Sequence, residues 1–588
     1  MTEQTNYPFR DASLPVNERV ADLLGRMPLE DKVGLMFHQM TPLGHNGELA
    51  GADNFMGLTP TAELIREKRI THFNLLGSAM DPREIARWAN NMQKAAAEVG
   101  LGIPVTISTD PRHAFTENVG TSFLAGCFSQ WPETLGLAAI GDAKVIEQFA
   151  DIARREYLAV GIRSALHPQI DLATEPRWAR IAGSFSEDAK LTAMAVEAYV
   201  RGFQTEEFGV NSVATMTKHF PGAGPQMDGL DAHFEYGREQ VYPGNNFDYH
   251  AEPFKAAIAV GTRAMMPYYG MPVGTKYEEV GFSFNKAVIT DLLKNEFGFE
   301  GVVCTDWGLV TDGEIFGKVF PARAWGVEHL SPIERAEKIL NAGCDQLGGE
   351  QCPELIIELV KSGRISEERI NHSAAKLLRE KFLLGLFENP YVDEDEAARI
   401  IGSPEFVEAG EAAQRAAIVR LKAADAGAAR LPLARGLKVY VEGFAEGAAE
   451  RLGQLVANPE DADVAIIRAK TPYEPRGEGF ELMFHQGSLE FAPAERDRIL
   501  AICNTVPTIF DIHIDRAAIF PEIAEAAAVV LANFGASADA LIDVLFDPTL
   551  AKGRLPLELP RSMAAVEASK EDVPFDTENP VFKFGAGL

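Results

Sequence analysis

The chain has 588 residues, 46% hydrophobic and 24% charged, which is the balance of a globular protein and too long for one ordinary core, so two domains are expected. Acidic residues number 85 against 55 basic ones, a formal charge of −30 that repels phosphate backbones and anionic lipid and excludes nucleic acid and membrane surfaces as partners. The five cysteines (Cys127, Cys304, Cys344, Cys352, Cys503) have neither metal-ligand nor disulfide-framework spacing, and no run of about 18 apolar residues occurs. The start, MTEQTNYPFRDASLP, has no basic segment leading into an apolar one, so a cytoplasmic protein is expected.

In chain order, the first two-thirds repeats one pattern. A short apolar, β-branched run ends in polar or small residues and is followed by a helical pattern. The runs are THFNLLGS (71–78), IPVTISTD (103–110), IRSALHPQIDL (162–172), SVATMTKHFPG (212–222), TRAMMPYYG (262–270), GVVCTDWG (301–308) and AGCDQLGG (342–349). Helix candidates between them include 82–100, 143–161 and 286–298, with apolar residues at three- and four-residue spacing and glycines as stops. Strands alternating with helices predict parallel strands, and this many units predict a (β/α)8-like barrel over residues 1–387. An acidic, turn-rich stretch reads as a linker over 388–415, and a helix is expected over 411–421. A second βα series (436–444, 463–470, 505–514, 527–535) predicts an α/β sandwich domain over 416–588. It has neither GxGxxG nor Walker A, which removes support for a nucleotide role.

Barrel enzymes work at the C-terminal ends of their strands. The polar residues of the runs gather there: Asp110, Lys218 with His219, Tyr268 and Asp306, with Trp178 and Trp307 in neighbouring segments. No HExxH, CxxC pair or GxSxG occurs, so the usual zinc- and serine-hydrolase readings fall away. Carboxylates, cations and indoles suit a neutral polyhydroxylated ligand, with charged groups on the hydroxyls and indoles on the sugar face.

The segments DLATEPRWAR (171–180), KHFPG (218–222) and GVVCTDWG (301–308) resemble the signatures of glycoside hydrolase family 3, the β-glucosidase and exo-β-glucanase family. ERVADLLGRMPLEDKVGLM (18–36), RISEERINHSAAKLLREKFLLGLF (364–387) and FKFGAGL (582–588) are similar to the family's opening helices, barrel-closing helix and second-domain end. The resemblance implies a two-domain form without the fibronectin-type third domain. It also implies a retaining exo-acting β-glycosidase, most simply a β-glucosidase, with the active site between the domains and no metal or cofactor. Asp306 takes the nucleophile's position. Asp110, Arg177, Lys218, His219 and Tyr268 match residues that hold the sugar or flank the nucleophile, and Trp307 adjoins it. The acid/base is expected on the second-domain loop 468–491, with Glu474 preferred for its spacing to Tyr473 and Arg476, and Glu478 and Glu481 as alternatives.

The sequence also departs from the family pattern. STDPRHAF lacks the glycine of the usual DxxHG, EPRW replaces DPRW, and GSFSED (183–188) lacks a glutamate. A second branch acts on β-N-acetylglucosaminides through an Asp-x-His dyad, and Asp231 and His233 have that spacing here. A β-xylosidase and a non-catalytic sugar-binding protein complete the alternatives. Linkage preference is expected to lie in loops 40–58, 223–250 and 310–330. A homodimer is compatible with the sequence, though nothing in it demands one.

Overall fold

The computed structural model describes residues 7–53, 57–116 and 122–588, so residues 54–56 of the loop 40–58 lie outside the described residues. Eight parallel strands close into a barrel: β1 (Phe37–Pro42), β2 (His72–Leu76), β3 (Thr106–Thr109), β4 (Ile162–Ala165), β5 (Ala214–Phe220), β6 (Ala264–Pro267), β7 (Val302–Trp307) and β8 (Gln346–Gly348). Seven of these lie within the runs read from the sequence. The eighth, β1, joins the ends of the sheet by pairing His38 with both His72 and Gly348. It escapes a sequence reading because it follows helix Leu29–Leu35 after a single residue and carries His38, Gln39 and Thr41 among its apolar residues.

The helices between strands have clear local causes. Helix Pro82–Ala97 starts on Asp81, whose side chain accepts from the Arg83 amide, and Pro82 sits in the first turn, where its missing N–H costs nothing. Ile85, Trp88, Ala89 and Met92 form its buried stripe. Helix Pro332–Ala342 has a full capping box between Ser331 and Glu334 and ends on Gly343 at φ 112°, a conformation that favours glycine.

The second domain holds a six-stranded sheet: β9 (Val419–Lys422), β10 (Lys438–Glu442), β11 (Gln454–Leu455), β12 (Val464–Lys470), β13 (Thr508–His513) and β14 (Val529–Asn533), in the order β9-β14-β13-β12-β10-β11. All neighbours are parallel except the edge pair β9 and β14. The helix expected over 411–421 stops at Ala417. Val419 and Leu421 are buried while Arg420 and Lys422 are partly exposed, a period of two that suits a sheet edge. The acidic stretch 388–415 is itself folded, with helices Glu394–Ile400 and Pro404–Ala417. Among the described residues, no helix is long and apolar enough to cross a membrane.

Polar clasps tie the two domains. The Asp572 carboxylate accepts from the amides of Gly244 (2.7 Å) and Asn246 (2.8 Å), and the Thr174 hydroxyl donates to the Glu571 carbonyl at 2.6 Å. The buried Arg516 guanidinium donates to the carbonyls of Arg177 (3.1 Å), Gly487 (3.0 Å) and Pro472, fixing the loop after β12 against the loop after β4.

Candidate active site

A cavity of about 300 Å³ opens at the C-terminal ends of the barrel strands. Strand-end residues supply its floor: Gln39 from β1, Asn74 from β2, Asp110 after β3, Lys218 from β5, Tyr269 after β6, and Asp306 and Trp307 from β7. The second domain adds Phe480 to its wall.

Asp306 is 7% exposed. Its Oδ1 accepts from the Trp307 amide at 2.8 Å, while Oδ2 is buried without a hydrogen-bond partner among the described residues. Oδ2 lies 3.8 Å from His219 Nε2. That imidazole is not a cation. Burial first, then the charges of Arg180, Lys218 and His233, hold its pKa well below the ordinary value. Its tautomer follows from its partners: Arg180 Nη2 can only donate to Nε2 (3.0 Å), so Nδ1 carries the hydrogen and donates to Asp171 at 2.8 Å. Asp171 also accepts from the amides of Ala223 and His219, and burial pushes its carboxyl up to about 7.

The opposite side of the floor is an ion pair. Lys218 Nζ donates to Asp110 Oδ1 at 2.9 Å, and Asn74 Nδ2 donates to Oδ2 at 3.0 Å. Burial alone would raise the Asp110 pKa, but Lys218 and Asn74 outweigh it and hold the carboxyl below its usual range. Asp110 and Lys218 thus present fixed, opposite charges to a ligand's hydroxyls.

Tyr269 buttresses the Asp306 side. Its hydroxyl donates to the Trp307 carbonyl and accepts from the Trp307 amide, both at 3.0 Å. Burial, and then the neighbouring Asp306 carboxylate, push its phenol well above the ordinary value. The Trp307 indole leans on His38 (ring centroids 5.3 Å apart) and on the backbone of Gly348 and Gly349. A Cβ at either glycine would come within 2.6 Å of the indole, so the ring's placement depends on two residues without side chains.

His233 also lines the cavity. Its Nδ1 is bonded to Asp231 Oδ1 at 2.6 Å, and the buried Asp231 takes a further bond from Trp178 Nε1 at 2.9 Å. The His233 ring lies 4.8 Å from Tyr269, 5.2 Å from Phe484 and 6.1 Å from Phe480. Arg180, Lys218 and Arg323 face Asp110, Asp306, Asp312 and Glu314 across the cavity, and the described residues contain no group of His, Cys, Asp or Glu arranged to hold a metal ion.

Residues 55–380 match the glycosyl hydrolase family 3 N terminal domain and residues 244–588 match the C-terminal domain of the same family. The chain belongs to glycoside hydrolase family 3. Among relatives of this family 3 chain, a probable β-glucosidase C of Aspergillus flavus is 52% identical, over 99% of this chain and 91% of that one. A periplasmic β-glucosidase/β-xylosidase of Dickeya chrysanthemi is 40% identical over the same shares. A solved β-glucosidase from Erythrobacter marinus superimposes with a TM-score of 0.79 at 19% identity, covering 100% of this chain and 84% of that one, a likeness of fold.

Of the residues that the family 3 resemblance suggested, Asp306, Trp307, Asp110 and Lys218 meet in the cavity. Three others do not line it. The Arg177 guanidinium is bonded to Glu175 at 2.8 Å, and Arg180 reaches the cavity instead. The Tyr268 ring is fully buried against Trp178 and His219, and its neighbour Tyr269 takes the place beside Asp306. His219 acts from behind, between Asp171 and Arg180. The second-domain glutamates also lie outside the cavity lining. Glu474 is exposed near Gly487, Glu478 is exposed and paired with Lys318, and Glu481 accepts from the Tyr236 hydroxyl at 2.8 Å.

Proposed function

We infer that this family 3 protein is a retaining, exo-acting β-glucosidase in which Asp306 is the nucleophile. The observation that carries the reading is Asp306 Oδ2, a buried carboxylate oxygen at a strand end, in the cavity, with no hydrogen-bond partner among the described residues. Leaving such an oxygen unsatisfied is costly unless a ligand atom meets it. Its neighbour Oδ1 is pinned by the Trp307 amide, so Oδ2 is held ready rather than free to rotate.

In the first step Oδ2 bonds to the anomeric carbon as the bond to the leaving oxygen breaks, and that oxygen takes a proton. In the second, water attacks the same carbon, the glycosyl–aspartate bond breaks and the proton returns to the enzyme, so two inversions give net retention. Asp110, Lys218 and Asn74 offer fixed polar groups to the sugar's hydroxyls, and Arg180 supplies a further donor. We assign the proton transfers to His233, the acid/base candidate that lines the cavity. With Nδ1 committed to Asp231, its Nε2 is the nitrogen available to the leaving oxygen, and the Asp231 carboxylate stabilises the imidazolium.

The test is a kcat/KM panel on aryl β-glucoside, β-xyloside and β-N-acetylglucosaminide with wild type and Asp306→Ala. The reading expects the glucoside to lead and its turnover to vanish in the variant. A preference for the N-acetyl sugar would replace glucose as the substrate, and full activity in Asp306→Ala would remove the nucleophile.

A further inference from the structure

Arg323 has no part in the reaction above, yet it lines the cavity. It follows the antiparallel hairpin Gly313–Ile315/Lys318–Phe320, an excursion from the loop after β7. The residue is 8% exposed. Its Nη2 donates to the Trp307 carbonyl, and its guanidinium carbon lies 4.6 Å from the Phe320 ring centre and 5.5 Å from that of Tyr269. Nε is buried without a partner, and Nη1 makes no hydrogen bond among the described residues. The carboxylates near it are engaged: Glu350 accepts from the Val310 amide (2.6 Å) and the Thr311 hydroxyl (2.6 Å), and Asp312 from the Ala322 amide (2.9 Å). Among the described residues Arg323 forms no ion pair. The buried Glu350 supplies charge through space, but no acceptor among the described residues meets Arg323 Nε or Nη1, so a ligand anion would complete a guanidinium that is only partly satisfied.

We propose that Arg323 is the anion-recognising residue of the leaving-group side, and that the preferred leaving group is an aromatic ring bearing a carboxylate. The inference rests on the β-glucosidase reading. On that reading Asp110 and Lys218 take the sugar's hydroxyls, which leaves to the leaving group the opening lined by the hairpin residues Ile315 and Phe320 and by Phe480 of the second-domain loop. That opening is aromatic: Phe480 lies 5.7 Å from Phe320, 5.2 Å from Phe484 and 6.3 Å from Phe234. Aromatic walls take a flat ring edge-on or face-on, and the planar guanidinium takes a carboxylate. Asp312 and Glu314 also border the cavity but are exposed, so water screens their repulsion more than it weakens the buried arginine.

The experiment compares kcat/KM for 4-carboxyphenyl and 4-carbamoylphenyl β-glucoside, with the matching 1-thio-β-glucosides as competitive inhibitors to remove leaving-group differences. Wild type, Arg323→Gln and Arg323→Lys are compared. The expected result is about tenfold tighter inhibition by the carboxylate than by the amide in wild type, collapse to near parity in Arg323→Gln, and partial retention in Arg323→Lys. Parity in wild type, or an undiminished preference in Arg323→Gln, overturns the proposal. Should Arg323→Gln not fold, the wild-type ratio and Arg323→Lys decide. A glucosyl-glucuronate disaccharide tested against its glucosyl-glucose counterpart separates the two carboxylate sources, and a preference confined to the uronate overturns the aromatic assignment. No turnover of either aryl glucoside would instead sink the β-glucosidase reading itself.

Discussion

The Asp231 carboxylate and the His233 imidazole, separated in the chain by Ala232 alone, share a 2.6 Å hydrogen bond at the wall of the cavity that holds Asp306. The loop around Glu474, Glu478 and Glu481 contributes an aromatic residue, Phe480, to the same cavity. This arrangement separates two ways of moving the proton.

If His233 is the acid, His233→Ala should lower kcat/KM on unactivated glucosides by roughly 10²–10⁴-fold while sparing substrates whose leaving group needs no proton. Glu474→Ala, Glu478→Ala and Glu481→Ala should each stay within a few-fold of wild type on both. Parallel steady-state assays on 2,4-dinitrophenyl β-glucoside and a glucose disaccharide check this. The selective loss appearing in a glutamate variant would move the acid to the second domain.

Asp306→Ala should lose at least about 10³-fold in kcat. Its stability should fall by no more than about 1 kcal/mol, because the one hydrogen bond lost is from the Trp307 amide, which keeps the Tyr269 hydroxyl, and removing a buried charge offsets the lost attraction to Arg180. Turnover and thermal unfolding on one preparation test the two halves. A collapse in Tm alongside activity would make the residue structural.

Gly349→Ala should displace the Trp307 indole. The new Cβ would sit 2.6 Å from the ring on a backbone at φ 68°, so a stability loss of about 1–3 kcal/mol and a raised KM are expected. Tryptophan fluorescence and KM together check it. A variant with unchanged KM would show that the indole does not cover the sugar.

Stability should fall as acid is added through the window below neutrality. Burial pushes the His250 pKa from 6.5 down to about 4, and His38 from 6.5 down to about 3. Between those values and 6.5 the unfolded chain binds protons that the folded chain refuses, so the unfolded state gains. The slope is at most about 1.4 kcal/mol per pH unit for each histidine, and the loss is complete once the folded pKa is passed. Asp171, raised to about 7, slopes the opposite way, so the useful quantity is a difference. His250→Asn should show a flatter decline than wild type in urea melts from pH 7 to 4, and parallel curves would deny His250 its share.

Much of the barrel is legible from apolar runs that end in polar residues, because strands buried on both faces leave little room for other patterns. β1 and β9 are hidden for one reason: each abuts a helix, and a helix and a short buried strand share apolar content over so few residues. Within the site, Asp306 and Lys218 are readable since each is a charged residue near the C-terminal end of an apolar strand. The Tyr268/Tyr269 choice is harder, because neighbours in extended chain face opposite sides and the motif fixes the place but not the face. Arg177 and Arg180 are separated by a turn that turns one guanidinium back onto Glu175. Arg323 lies beyond a hairpin that no spacing rule anticipates.

The Arg516 latch bears on how this molecule would be assembled. One guanidinium holds the loop bearing Phe480 within the second domain through the Pro472 and Gly487 carbonyls and ties it to the barrel through that of Arg177, so the loop becomes a wall of the pocket when the two halves are seated together. The barrel could gain its sugar floor early in folding while the pocket's outer wall waits for docking. Leaving-group selectivity would then ripen later than sugar binding, making catalytic discrimination a clock for domain assembly.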